Sequence, residues 1–328
     1  MRLDLDRVPI GTGPTPVRRL TAASRRGPAD VWLKDDALYG PHSGNKARKL
    51  EWLLGAARRR GAQTVITSGA IGTNHGLATA LYARELGMRT VLVLVPQPES
   101  AQARAQLARI RRSGAEVHPV AGRAGAVALT AWLLVARAGP GLHLPALILP
   151  GGSTPLGCVG YVEAGLELGR QVAAGEVPEP SHVVVALGSG GTAAGLLLGL
   201  RLAGLRSRLV AVSVNDLTPL GPRALSRLAS RTQRLLQRHN SGPLPRVALG
   251  PGDLDVATGW LGEGYGHETA AGAAAIEALG PDRVSLEPVY TAKAAAALLE
   301  INSAGGFGAG PVLFWQTHRP PKPPNVPE

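Results

Sequence analysis

The chain has 328 residues, 45% of them hydrophobic but only 4% aromatic, enough for one large or two medium domains around a core built mostly of Ala, Val and Leu. No apolar run reaches the length of a membrane span, the N-terminus "MRLDLDRVPIGTGPTP" carries no apolar signal region, and a single cysteine, Cys158, excludes an internal disulfide and suits a reducing, cytoplasmic setting. The formal charge is +12, yet the arginines are scattered, with no basic tail and few aromatics for base stacking, so the charge points to solvated helix faces rather than to nucleic acid.

In chain order, "DVWLKDD" reads as a strand running into a loop, and "SGNKARK" as a loop leading to a helix. "RKLEWLLGAARRRGA" has helical spacing, with Leu50, Leu53, Leu54 and Ala57 on one face and a stop at Gly61. "TVITSGA" is a short apolar strand, "TNHGLATALYARELGM" a helix with a Thr/Asn start, and "RTVLVLVP" a buried strand. "ESAQARAQLARIRRSGA" is a helix, "EVHPV" a strand, "AGAVALTAWLLVARAG" a helix, and "ALILPGG" with "PLGCVGYVEAGLELGRQV" continues the alternation. "HVVVALGSGGTAAGLLLGLRLAGL" is strand, loop and helix, followed by the strand "SRLVAVSVND". Continuous Val/Leu strands alternating with helices predict an α/β chain with parallel sheets covered on both faces. Segments 50–157 and 158–300 each hold enough strands for one sheet, and the proline-rich tail "HRPPKPPNVPE" is expected to be extended or disordered.

Five residues of the 35 Lys+Arg are lysine (Lys34, Lys46, Lys49, Lys293 and Lys322), and two of these lie three residues apart in "GNKARK". Gly44 and Asn45 beside them suggest a backbone that must fit around something, and a lysine becomes nucleophilic when burial or nearby cations lower its pKa. The turn Gly188-Ser189-Gly190-Gly191-Thr192 lies between a strand and a helix, where exposed N–H groups and the helix dipole favour an anion such as phosphate. It lacks the lysine of a P-loop. A dinucleotide fingerprint is a rival reading, since Gly188, Gly190 and Ala193 match its spacing and Asp216 follows the next strand. Thr73, Asn74 and His75 sit at a helix start, as an N-cap whose free N–H groups can also hold a carboxylate. "GEGYGHE" and "EPVYTAK" each set a tyrosine, Tyr265 and Tyr290, in a loop, suited to packing on a planar ligand with the hydroxyl free to relay protons.

Together these segments resemble the fold-type II pyridoxal-phosphate enzymes, specifically the D-cysteine desulfhydrase / 1-aminocyclopropane-1-carboxylate (ACC) deaminase family. The likeness runs in order through "PTPVRRL", "VWLKDDAL", "SGNKARKLEWL", "SGAIGTNHG", "PGGSTPLGCVGYVEA", "GSGGTAAG", "GYG" and "EPVYTAK". It implies a tryptophan synthase β-like fold of two open parallel-sheet domains with pyridoxal 5'-phosphate in the cleft between them: a large domain from 1–49 and 158–328, and a small inserted domain from 50–157. It implies that Lys46 carries the cofactor as a Schiff base, that Lys49 and the turn Gly188, Ser189, Gly190, Gly191 and Thr192 hold the phosphate, and that Asn74 meets the ring hydroxyl. Thr73, Asn74 and His75 would hold the substrate carboxylate, Tyr265 and Tyr290 would flank ring and substrate, and Thr291 and Thr317 would fall near the pyridine nitrogen. It further implies a small amino-acid substrate and a homodimer.

Three positions and one short segment depart from the family pattern. Thr291 stands where ACC deaminase relatives carry glutamate, which weakens the ring as an electron sink and argues for the desulfhydrase branch. Thr73 replaces a serine, Leu77 an arginine, and "QTHR" (Gln316 to Arg319) the usual "HTGG". The expected reaction is β-elimination giving pyruvate, ammonia and, from cysteine, sulfide. ACC deamination, another pyridoxal-phosphate deaminase or lyase reaction, a catalytically impaired cofactor-binding protein and an arginine-rich nucleic-acid binder are the other readings.

Overall fold

The structure is a computed structural model that describes residues 3–42, 44–139, 143–217 and 220–320. Six strands form the larger sheet, in the order β1-β2-β10-β7-β8-β9. They are β1 (Val17–Arg19), β2 (Val31–Asp35), β7 (His182–Leu187), β8 (Arg208–Ser213), β9 (Leu254–Ala257) and β10 (Val312–Gln316). All neighbours are parallel except β1, a short antiparallel edge on β2. The smaller sheet, β5-β4-β3-β6, is parallel throughout and is inserted in the chain between β2 and β7. Its strands are β3 (Thr64–Ala70), β4 (Arg89–Val95), β5 (Glu116–Pro119) and β6 (Ala146–Ile148).

Strand alternation puts different side chains on the two faces of each sheet. In β7, Val183, Val185 and Leu187 face α6 (Pro155–Ala173), α7 (Gly191–Leu202) and α8 (Pro222–His239), while Val184 faces α9 (Ala270–Leu279) and α10 (Thr291–Ser303). In β10, Leu313 and Trp315 join the first group, Val312 and Phe314 the second. The small sheet repeats the pattern. Ile66, Val91 and Val93 pack on α5 (Arg123–Ala136), and Leu92 and Leu94 pack on α3 (Asn74–Glu85) and α4 (Ala101–Arg112). The continuous Val/Leu strands are therefore those of doubly covered parallel sheets. A four-residue helix, α1 (Thr21–Ser24), links β1 to β2.

The segment expected to be a loop is helical. α2 spans Gly44–Arg59, so Lys46 and Lys49 lie in its first two turns. Leu50, Leu53, Leu54 and Ala57 do form one buried face of it, with Val8, Val65 and Tyr82. Gly44 is required there, because a Cβ on it would lie 2.1 Å from the Asp36 carbonyl oxygen. Ser43 and the tail residues 321–328 lie outside the described residues. Among the described residues no helix is long and apolar enough to cross a membrane.

Candidate active site

In open α/β sheets ligands bind beyond the carboxyl ends of the strands. Here those ends carry Thr73–His75 (after β3), Pro150–Ser153 (after β6), Gly188–Gly190 (after β7) and Thr317–His318 (after β10). Asn45 donates its backbone N–H to the Thr317 carbonyl at 3.1 Å, which pins the start of α2 against the end of β10. Lys46 follows directly. Burial, and then the charge of Lys49, lower its amine from 10.5 to about 7. Burial alone lowers Lys49 to about 8, and its Nζ donates to the Gly151 carbonyl at 3.1 Å. Neither amine has a carboxylate partner among the described residues.

The glycine-rich turn closes on the same point. Gly190 has φ +88°, a left-handed conformation that glycine adopts without strain, and α7 starts at the next residue. The Gly191 N–H donates to Ser153 Oγ at 3.0 Å, and that hydroxyl lies 2.8 Å from Ser189 Oγ. A Cβ at Gly191 would stand 2.7 Å from Ser153 Oγ and 3.0 Å from Lys49 Nζ, so a side chain would fill the space between the hydroxyls and the amine. A helix N-terminus, two hydroxyls and an unpaired ammonium around one small gap make a donor set for a dianion. Thr192, the next residue, is buried. The donor set and the depressed Lys46 amine fit a phosphorylated aldehyde such as pyridoxal phosphate.

Thr73 is the N-cap of α3, accepting the Gly76 N–H at 3.1 Å, and Asn74 Oδ1 accepts a bond from Gln106 at 2.8 Å. His75 is buried, its pKa pushed well below the usual value by burial and by Lys46 and Lys49. Neither of its ring nitrogens makes a hydrogen bond of normal geometry, although the Leu149 backbone lies beside it. Tyr265 and Tyr290 meet edge to face with hydroxyls 2.5 Å apart. Burial raises both above the usual phenol value, so both stay protonated. Gly188 faces the Tyr290 ring, where an added Cβ would make a 3.8 Å contact.

The Thr291 hydroxyl accepts from the Glu287 N–H at 2.7 Å and donates to the Glu287 carbonyl at 3.2 Å, so its one proton is directed at the backbone just ahead of its own helix. Thr317 is buried, and it is its backbone carbonyl that holds Asn45. Asp216, the acid of the dinucleotide reading, accepts the Tyr265 N–H at 3.1 Å and so fixes a loop rather than standing free for a ribose. Lys293 holds the same loop through the Leu261 and Gly264 carbonyls.

The structure adds residues that sequence reasoning missed. Ser153 sits inside the quoted "PGGSTPLG", one residue before the α6 cap Thr154, and only folding turns it toward the glycine turn. Gln102 and Gln106 lie on one face of α4; Gln102 reaches Glu287, whose carboxylate also accepts the N–H groups of Val289 and Tyr290. Asn74, Gln102, Tyr265, Glu287 and Tyr290 enclose a cavity of about 20 Å³ between the two sheets. A larger cavity of about 480 Å³ lies elsewhere, on the other face of α2, between Arg7, Tyr39, Arg48 and Glu167. Neither cavity is lined by the lysines or the glycine turn, but the smaller one adjoins them through Asn74 at the start of α3 and through Tyr290, whose ring faces Gly188, so the candidate site lies on that side of α2.

Two largely parallel sheets whose strand ends converge on a depressed lysine and an anion cradle have the make-up of an α/β enzyme for a phosphorylated cofactor. Residues 8–317 match the family described as "Pyridoxal-phosphate dependent enzyme", and the chain belongs to that family. It is 35% identical over 313 residues to a D-cysteine desulfhydrase of Salmonella choleraesuis, covering 93% of this chain and 91% of that protein. A crystal structure titled as an ACC deaminase homologue superposes with TM-score 0.82 at 32% identity, covering 96% of this chain and 92% of the other. Serine racemase from Dictyostelium discoideum, at 16% identity and TM-score 0.64 over 94% of this chain and 93% of the other, shares the fold. The chain is thus a pyridoxal-phosphate-dependent lyase of the D-cysteine desulfhydrase and ACC deaminase group.

Proposed function

We propose that this enzyme eliminates a leaving group from Cβ of a small amino acid, as a D-cysteine desulfhydrase does, to give pyruvate, ammonia and the released group. The observation that carries this is Lys46: an amine near pKa 7, beside a second lysine that faces a built anion cradle. When bound, pyridoxal phosphate supplies the electron sink for charge developing at the substrate Cα. Lys46 Nζ, largely neutral just above pH 7, accepts the Cα proton. Lys49, Ser153, Ser189 and the N–H groups at the start of α7 hold the phosphate. The N–H groups at the start of α3, around Thr73, Asn74 and His75, hold the substrate carboxylate, and Asn74 and Thr317 border the ring. Tyr265 and Tyr290, kept protonated by burial, exclude water and offer a proton to the departing group. Thr291 spends its proton on the Glu287 carbonyl and offers no carboxylate to the ring side, which favours thiolate elimination over the more demanding opening of a cyclopropane ring.

ACC deamination is the second reading, favoured by the 0.82 superposition on an ACC deaminase homologue. Pyruvate release from D-cysteine, L-cysteine, D-serine and 2-oxobutanoate release from ACC separate the two. Lys46→Ala should abolish turnover and the visible cofactor band together; borohydride labelling of no lysine in the wild type would sink the reading. We further assign 1–49 with 158–328 to the large domain and 50–157 to the small one, and infer a cytoplasmic homodimer. Exposed Val127, Trp132 and Val135 on α5 support self-association, which light scattering tests.

A further inference from the structure

One half-buried cation near the cleft has no counter-charge. Gln102, Gln106 and Arg109 follow the spacing i, i+4, i+7 on α4 and so share a face. Gln102 reaches across to Glu287, Gln106 Nε2 donates to Asn74 Oδ1 at 2.8 Å, and Arg109 donates one N–H to Gln106 Oε1 at 3.2 Å. Arg109 thereby sits at the end of a chain of side chains that leads to the α3 start, about one and a half to two helical turns, or ~10 Å, from the Glu287 end. No carboxylate pairs with it among the described residues; its charged neighbour on α4 is Arg112, and burial with that charge lowers its pKa. On the other side, His318 follows Thr317, whose carbonyl holds the residue before Lys46. Burial, then the charges of Lys46, Arg109 and Arg319, bring His318 down to about 4, so its imidazole stays neutral. Arg319 has Asp35 nearby; Arg109 has no such acid. An unpaired, partly desolvated guanidinium is costly unless an anion completes it. The cofactor phosphate is accounted for at Lys49 and the glycine turn.

We propose that Arg109 receives a second negative charge on the substrate, so that a small amino acid whose Cβ leaving group is an oxyanion (sulfonate or phosphate class) is accepted in addition to the thiol. This rests on the lyase reading. With such a substrate the Cα–H proton passes to Lys46, the Cβ–substituent bond breaks with its electron pair leaving on the oxyanion, and the enamine left behind takes up water to give pyruvate and ammonium. A carboxylate at Cβ cannot leave in this way, so aspartate binds there as an unreactive probe.

The test uses holoenzyme and two readouts. Equilibrium binding of aspartate against alanine, followed by the change in the cofactor's visible spectrum, should favour aspartate by about ten- to a hundredfold, the effect of one charge-assisted bond. Arg109→Gln should erase that preference while leaving alanine binding within about twofold, and Arg109→Lys should restore part of it. Turnover of cysteate and O-phosphoserine should show a raised KM with near-constant kcat in Arg109→Gln, with D-cysteine unaffected. Equal loss for anionic and neutral ligands, or an unchanged aspartate-to-alanine ratio, overturns the assignment and makes Arg109 structural. Either result leaves the lyase reading intact, which fails only if no amino acid yields a 2-oxo acid.

Discussion

Helix α2 carries charge on two faces that are treated in opposite ways. On one face Arg48 pairs with Asp36 at 2.7 Å and with Glu167 at 3.1 Å, and stacks over the Tyr39 ring at 3.9 Å. Lys34 completes Glu167 at 2.5 Å, and Tyr161 donates to Asp36 at 2.5 Å. Burial opposes the charge of Arg48, but Asp36 and Glu167 outweigh it and raise its pKa; both carboxylates are held below their usual range. On the other face Lys46 is half-buried and Lys49 buried, with no carboxylate partner among the described residues, and their pKa values fall. A compensated cluster is scaffold, whereas uncompensated cations of one sign mark where a ligand's charge belongs. The same contrast explains residue choice. Arginine stays protonated and suits bidentate pairing; only lysine gives up its proton near neutrality.

The largest expected effect tests the uncompensated face. Lys46→Ala should lower turnover by at least about 10³-fold, since both the anchor and the base are lost. In the cofactor-free wild type, the rate of cofactor capture should rise with pH through about 7 and level off above it, because the amine must be neutral to react. A flat profile from pH 6 to 8 would mean that Lys46 is not the reacting amine.

Next comes the compensated face. Arg48→Met strands two buried carboxylates and should cost about 3–5 kcal/mol in denaturant unfolding. Asp36 and Glu167 have folded pKa values below their unfolded ones, so their stabilising contribution is present above the ordinary carboxylate range and is lost as pH falls through the lowered values. The wild type should therefore lose stability in acid more steeply than Arg48→Met does. Lys49→Met should behave oppositely. Its folded amine titrates near 8 against 10.5 unfolded, so the folded chain holds a desolvated charge at full cost below pH 8, and the cost fades between 8 and 10.5. In cofactor-free protein at pH 7 the substitution should stabilise by about 2–3 kcal/mol, while weakening cofactor binding by about tenfold or more. Loss of stability in both variants would erase the distinction between the faces.

The alternation of strands and helices was legible because parallel strands buried on both faces leave continuous Val/Leu runs, as in "VVVAL" and "VLVLV". The helical start of α2 was not: Gly44 and Asn45 read as loop residues, whereas Gly44 is there because the Asp36 carbonyl leaves no room for a Cβ. Lys46, Lys49 and the glycine turn stood out through local spacing. Ser153, Gln102 and Gln106 did not, because each acts across the fold on a residue more than 30 positions away. Asp216 shows the same limit in reverse: it follows the next strand as a ribose-binding acid would, and only the folded chain reveals that it holds the Tyr265 loop.

The smallest effect concerns the tyrosine pair, where neither charge nor scaffold dominates. Tyr265 is carried on a loop held by Asp216 and Lys293, so its ring should stay in place when the hydroxyl is removed. Tyr265→Phe breaks the 2.5 Å bond to Tyr290 and should cost about 1 kcal/mol of stability or less, since the cleft admits water to the freed partner. If the pair relays a proton to the leaving group, kcat/KM for pyruvate formation should fall about tenfold, short of the ~10²-fold expected for a primary acid–base group. The loss should be larger for poor leaving groups, such as the hydroxyl of serine, than for thiolate, which departs without protonation. Equal losses across leaving groups would assign the pair to packing around the ring, on the side where Tyr290 faces Gly188.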